Sequence, residues 1–177
     1  MNRTQLITQL QGQNDQLDQL LKSLGSYSHE ALNKPPREGA WSVMQVLHHI
    51  RLAEYYSHKY CEKKLSFKPQ LGMVGWQENL RGKLVKWYLQ LPFKVQAPKN
   101  MSGSALPPES QLADLESQWK EQRKELQQFF EDLPEAYVNK AVYKHPMGGR
   151  LSFAGMLDFY EAHFRRHQKQ VWRSIPK

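Results

Sequence analysis

Two histidines, His163 and His167, stand four residues apart in the stretch Leu151-Ser-Phe-Ala-Gly-Met-Leu-Asp-Phe-Tyr-Glu-Ala-His163-Phe-Arg-Arg-His167-Gln-Lys-Gln-Val171, whose pattern is strongly helical. At 3.6 residues per turn they lie roughly 40° apart on one face, one turn above the other, so both imidazoles can reach a single ion. Neutral imidazole is the commonest protein ligand for zinc and also suits nickel, copper and iron. An i, i+4 histidine pair also arises on ordinary solvated helix faces. Here Met156, Phe159 and Tyr160 fall within roughly 60° of His163, and Gln170 lies as close to His167, so the pair extends an apolar stripe. Asp158, Glu161, Arg165 and Lys169 occupy the opposite face.

A third ligand has to come from another helix, and the second core helix offers His48 and His49. Its start is well specified, because Ser42 and Gln45 have the spacing of a capping box, with Trp41 and Val46 at hydrophobic-staple positions. The periodicity predicts a helix over residues 43–64. On it His49 shares a face with Val46, Leu52, Ala53 and Tyr56, whereas His48 sits beside Met44, Gln45, Arg51 and Tyr55, which makes His49 the better inward candidate. Two imidazoles from the last helix and one from this one would fill three positions around a divalent ion and leave a fourth for water or substrate. Cys61 is the only cysteine, which excludes an intramolecular disulfide and any multi-thiolate zinc site. It sits roughly 120° from His49 and reads as a core or surface cysteine. Tyr56 and Tyr160 flank the candidate ligands and could donate hydrogen bonds to a substrate, although aromatics at this spacing equally serve a core. Glu54 and Asp158 face away from the histidines on their helices, so the sequence shows no carboxylate base.

The remaining elements follow from the same periodicities. Leu6, Ile7, Leu10, Leu17, Leu20, Leu21 and Leu24 mark a first amphipathic helix over residues 3–24, with Gly25 placed for a left-handed C-terminal cap. One helical turn is expected around residues 28–33, before Pro35 and Pro36. Residues 76–91 form an added helix whose apolar stripe is Trp76, Leu80, Leu84, Trp87 or Tyr88, and Leu91. Pro92 ends it, and an extended segment runs to Pro98. Residues 109–133 carry Leu112, Leu115, Trp119, Leu126, Phe129, Phe130 and Leu133 at helical spacing among many charges. Residues 136–150 form an irregular or short-strand connection, and Ser152 caps the last helix, which persists to about Ser174. Four long amphipathic helices with one helix inserted between the second and third make an all-α four-helix bundle the economical architecture.

The chain has 177 residues, 40% hydrophobic and 24% charged, and fits a single domain over residues 1–177. No apolar run approaches the ~20 residues of a membrane helix, and the first residues lack the apolar core of a secretory signal, so a cytoplasmic protein is expected. Lys and Arg total 25 against 17 Asp and Glu, a net charge of +8. Such a balance permits attraction to nucleic acids, anionic membranes or acidic small molecules. The basic residues are scattered, and no aromatic-interleaved basic motif marks a nucleic-acid surface. A helical bundle without catalytic activity, binding nucleic acid through its charge, is the rival reading; steep salt dependence of DNA binding would identify it.

These residues resemble the DinB superfamily of metalloenzymes. The resemblance rests on Trp41-Ser42-x-x-Gln45-Val46-Leu47-x-His49-Ile50, on Phe93-Lys-Val-Gln-Ala-Pro98, and on His145-Pro-x-x-Gly149-x-Leu151-Ser152 leading into His163-x-x-x-His167-x-x-Gln170. It covers nearly the whole chain. It implies the family's four-helix bundle, often a homodimer, with three histidines binding nickel or zinc. Position by position those ligands fall on His49, His163 and His167. The family's activities include S-transfer with low-molecular-weight thiols, a mycothiol-dependent isomerisation and metal-dependent hydrolysis. The resemblance places thiol S-transfer to a small electrophilic molecule first and hydrolysis second.

Overall fold

The computed structural model describes residues 1–90 and 101–175, with backbone only at residues 77–79, 89, 90 and 104. In chain order the elements are α1 (Arg3–Leu24), α2 (His29–Asn33), α3 (Val43–Ser66), α4 (Trp76–Gln90), a 3₁₀ turn (Gly103–Ala105), α5 (Leu112–Glu131), α6 (Glu135–Val138), β1 (Tyr143–His145), β2 (Gly149–Leu151) and α7 (Phe153–Ser174). The described chain is mostly helical. Among the long helices α1 packs on α5 and α7, and α3 packs on the same two partners. Their apolar stripes close two clusters. One gathers Leu6, Leu10, Leu126, Phe130, Phe153, Met156 and Tyr160; the other gathers Leu17, Leu24, Met44, Leu47, Leu115, Trp119, Phe164 and Val171.

A buried polar group ties the same four helices together. Glu54 on α3 accepts a two-pronged pair from Arg123 on α5, at 2.7 Å from Nε and 2.6 Å from Nη2, and a third bond from Trp119 Nε1 at 2.7 Å. Arg123 Nη1 donates to Asn14 Oδ1 on α1, and the Tyr160 hydroxyl on α7 donates to the Glu54 carbonyl. Tyr160 is thereby a core residue bonded to the backbone of α3.

Local chemistry sets the ends of the two helices that carry the histidines. At α3 the Ser42 hydroxyl accepts from the Gln45 amide at 3.2 Å and the Gln45 side chain accepts from the Ser42 amide at 3.0 Å, closing the capping box. The α7 helix leaves directly from a hairpin in which Tyr143 pairs with Leu151 and His145 with Gly149, and the Ser152 hydroxyl caps it by accepting from the Gly155 amide. Gly149 turns the hairpin at φ +69°, a conformation that an L side chain rarely adopts.

One expectation is corrected. Gly25 is right-handed at φ −60°, its amide still bonded to the Leu21 carbonyl, so the helix simply runs on by one residue before unwinding. The apolar stripe of α4 lies on the surface: Trp76 is 73% exposed, and Leu80, Leu84 and Trp87 are also exposed, while Val85 is the buried residue. Lys86 fixes this rotation by reaching Glu161 at 3.3 Å and Asp158 at 3.8 Å on α7. The extended segment expected up to Pro98, and the Phe93–Pro98 motif with it, lie outside the described residues.

Candidate metal centre

The structure brings His49, His163 and His167 together, with one ring nitrogen from each within 4.8 Å of the others. The Nε2 atoms of His49 and His163 are 3.2 Å apart. Zinc–nitrogen bonds of about 2.0–2.1 Å in tetrahedral geometry place neighbouring ligand nitrogens roughly 3.3 Å apart, so this edge already has the width of a coordination site.

Hydrogen bonds at the far side of the rings set the donor atoms. His49 Nδ1 donates to the Met101 carbonyl at 2.9 Å, which leaves its lone pair on Nε2, the nitrogen turned to His163. His167 Nδ1 donates to Gln170 Oε1 at 2.9 Å, with the same consequence. Such outer partners orient metal-binding imidazoles and raise their basicity. Trp41 lies against His49 with ring centroids 5.1 Å apart, and Phe159 against His163 at 5.2 Å, which fixes the rings laterally.

All three rings favour the neutral form. Burial lowers His49, with the Met101 bond opposing in part. His163 falls well below the usual histidine range through burial, then through the other two rings, His145 and Arg166. Burial and the neighbouring His49 hold His167 at about 3. Neutral imidazoles, two of them with the lone pair set on the converging nitrogen, are the state that a divalent cation requires, so the residues present fit a metal.

The trio opens into a cleft of about 1070 Å³. Its walls include Trp41, Tyr56, Met101, Met147 and Phe159, with Ser57 and Tyr143 as hydroxyl groups. The Ser57 hydroxyl donates to the Ala53 carbonyl at 2.7 Å and stands 3.0 Å from the Tyr143 hydroxyl. Tyr56 is half-exposed on this wall, whereas its proposed counterpart Tyr160 is turned into the core. His48 points elsewhere, its Nε2 2.8 Å from the Ser110 hydroxyl. Cys61 is fully buried beside Met156, and burial pushes its thiol far above the ordinary range, so it supplies no nucleophile.

Several lining residues were not singled out from the sequence. Arg37 comes from the α2–α3 connection, Lys144 and His145 from β1, and Arg166 and Arg173 from α7. His145 is held by its own turn: Nδ1 accepts from the Met147 amide at 3.2 Å and the Gly148 amide at 2.9 Å, so the ring hydrogen is on Nε2. Burial lowers this imidazole to about 4, which keeps it a neutral donor. The turn needs glycine at 148, since a Cβ there would stand 2.4 Å from Val85 Cγ2. Only the β1 histidine carried a signal, the His145-Pro-x-x-Gly149 spacing; the basic residues come from positions that helical periodicity does not address.

Comparison with curated proteins and with solved structures gives no match. The family model of the DinB superfamily matches residues 9–171, a span that contains all three clustered histidines, and the chain belongs to that superfamily.

Proposed function

We propose that this protein is a metal-dependent enzyme of the cytoplasm, with His49, His163 and His167 as the protein ligands of one zinc or nickel ion. The reaction proposed is transfer of a low-molecular-weight thiol to a small electrophile. The observation that carries the reading is the convergence of three neutral imidazoles at the floor of a cleft large enough for a metabolite. Bound there, a divalent ion lowers the pKa of a thiol or a water molecule in its open position and polarises an electrophile.

The chain's own residues do the rest. Met101 and Gln170 hold the imidazoles in the donor tautomer. Trp41 and Phe159 pack against the rings of His49 and His163 at the floor of the cleft, an apolar surrounding that strengthens charge interactions there. No Asp or Glu is among the described residues lining the cleft, so they provide no carboxylate to take a proton from water. A thiol, with an ordinary pKa near ~8.5, needs less help than water to ionise, and this supports thiol transfer over hydrolysis.

The architecture is read as the four-helix bundle of α1, α3, α5 and α7 in one domain, with α4 inserted. No described helix is long and apolar enough to cross a membrane. The exposed α4 stripe supports a homodimer.

The test begins with metal analysis of protein purified without a metal-binding tag. Stoichiometric zinc or nickel is expected, together with thiol-dependent consumption of a model electrophile such as monochlorobimane, abolished by chelation and restored by the ion. Protein that holds no divalent ion at equimolar zinc or nickel would overturn the reading.

A further inference from the structure

The charges around the cleft are one-sided. Arg37, Lys144, Arg166 and Arg173 line it, and no Asp or Glu does among the described residues. That is a formal charge of +4 concentrated in one cleft of a chain whose net charge is +8. The floor does not offset it, because its three imidazoles are neutral. A divalent ion held by neutral ligands would add two further positive charges. Low-dielectric walls such as Trp41, Met101 and Phe159 let this field persist across the cleft.

The cations are placed by different elements. On α7, Arg166, Gln170 and Arg173 follow at i, i+4 and i+7, one continuous stripe beside the histidines. Arg166 is near enough for its charge to be felt at both His163 and His167. Arg173 Nε donates to the Lys169 carbonyl at 3.1 Å, which steadies its guanidinium along the helix. Arg37 lines the cleft from the connection before α3 and Lys144 from β1. The acids of α7 are drawn to the other side: Glu161 pairs with Arg165 at 2.7 Å and with Lys86, which also approaches Asp158.

We infer that the cleft selects an anionic small molecule, whose carboxylate or phosphate groups are held by Arg37 and Arg173, with Arg166 and Lys144 adding to the positive field, while its uncharged end reaches the three histidines. This deepens the enzyme reading and rests on it for the direction in which the ligand lies. Guanidinium forks recognise planar carboxylates and phosphates in two-pronged fashion, and the apolar wall buries the carbon skeleton between the two ends. The substrate class is therefore an acidic thiol or an acidic electrophile.

Titration calorimetry on the full chain tests this, with mercaptosuccinate, 2-mercaptoethanol, succinate, succinamide and inorganic phosphate as probes. Mercaptosuccinate should bind the metal-loaded protein at least tenfold more tightly than 2-mercaptoethanol. Succinate should outbind succinamide with or without metal. Comparing succinate with phosphate identifies which acid group the site prefers. In an Arg37→Gln, Arg173→Gln double variant the preference for the anions should fall at least tenfold while metal content stays unchanged. Arg165→Gln, on the Glu161 side of α7, should leave it intact. Equal binding of charged and neutral partners, or a preference that survives in the double variant, would overturn the inference. An anion preference in a protein that takes up no metal would uphold the inference and remove the metalloenzyme reading.

Discussion

Each ring of the histidine trio is oriented by something other than an acid: a main-chain carbonyl for His49, an amide oxygen for His167, and close packing against Phe159 for His163. The proposed ligand set is thus neutral. Replacing any one of the three by Ala should lower metal affinity at least tenfold, measured by competition with a chromophoric chelator. His48→Ala should leave affinity nearly unchanged, because that ring is spent on Ser110 on the other side of α3. Equal losses for His48 and His49 variants would defeat the assignment. The pH dependence carries a second expectation. A free histidine titrates near ~6.5, and sequence alone would place proton competition there. Burial moves all three titrations downward, His167 to about 3, so protons compete with the ion only at lower pH. Affinity measured at pH 6 should match that at pH 7.5 within a few fold; a tenfold weakening over that interval would show imidazoles titrating as if exposed.

At the scale of the elements, the polar tie among Asn14, Glu54, Trp119, Arg123 and Tyr160 reaches all four long helices. Arg123→Leu leaves the Glu54 carboxylate buried without its cation and should destabilise the fold by about 3–5 kcal/mol. The Glu54→Leu, Arg123→Leu double variant should recover much of that loss, since it removes both charges. Chemical denaturation checks this, and a single variant costing under ~1 kcal/mol would show the pair to be solvated. The tie also shows where sequence reading stops. Helical periodicity and caps place the histidines on their faces, because both are local properties of the chain. That Glu54 points away from them is legible in the same way; that Arg123 awaits it on α5 is not, since charged residues at helical spacing carry no sign of their partner. The α4 rotation escaped for a related reason. Its large apolar residues mark a stripe but not the neighbour that it meets, and the ion pairs of Lys86 and the contact between Val85 and the Gly148 turn set the face that packs on the rest of the chain. The basic rim of the cleft is assembled from a loop, a strand and a helix end, and only tertiary structure joins them.

For the molecule as a whole, the exposed row of Trp76, Leu80, Leu84 and Trp87 exceeds what scattered surface hydrophobics require, which is the physical ground for proposing a homodimer. Sedimentation should show a dimer at tens of micromolar and a monomer in a Trp76→Lys, Trp87→Lys variant; a wild-type monomer at that concentration would remove the proposal. Acid stability engages the entire fold. His48, His49, His58, His145, His163 and His167 all have lowered pKa values, with burial as the largest cause in each. In the unfolded chain these rings take up protons near ~6.5, whereas in the folded chain burial moves their titration to lower pH, for His48 and His145 to about 4. The unfolded state therefore binds more protons below ~6.5, and stability must fall as pH falls through that window. Above pH 7 both states are neutral at these rings and the contribution is fully present. Each responsive histidine costs about 1.4 kcal/mol per pH unit below its unfolded value, so two acting together consume a sizeable share of the ~5–15 kcal/mol typical of a domain. Urea midpoints of chelated protein should be level between pH 7 and 8 and drop steeply from pH 6.5 to 5. His48→Gln and His145→Gln should each reduce that drop at pH 5 relative to their own values at pH 7.5. A midpoint that stays flat from pH 7 to 5 would mean that the buried rings are protonated in the folded state, and the neutral ligand set would fall with it.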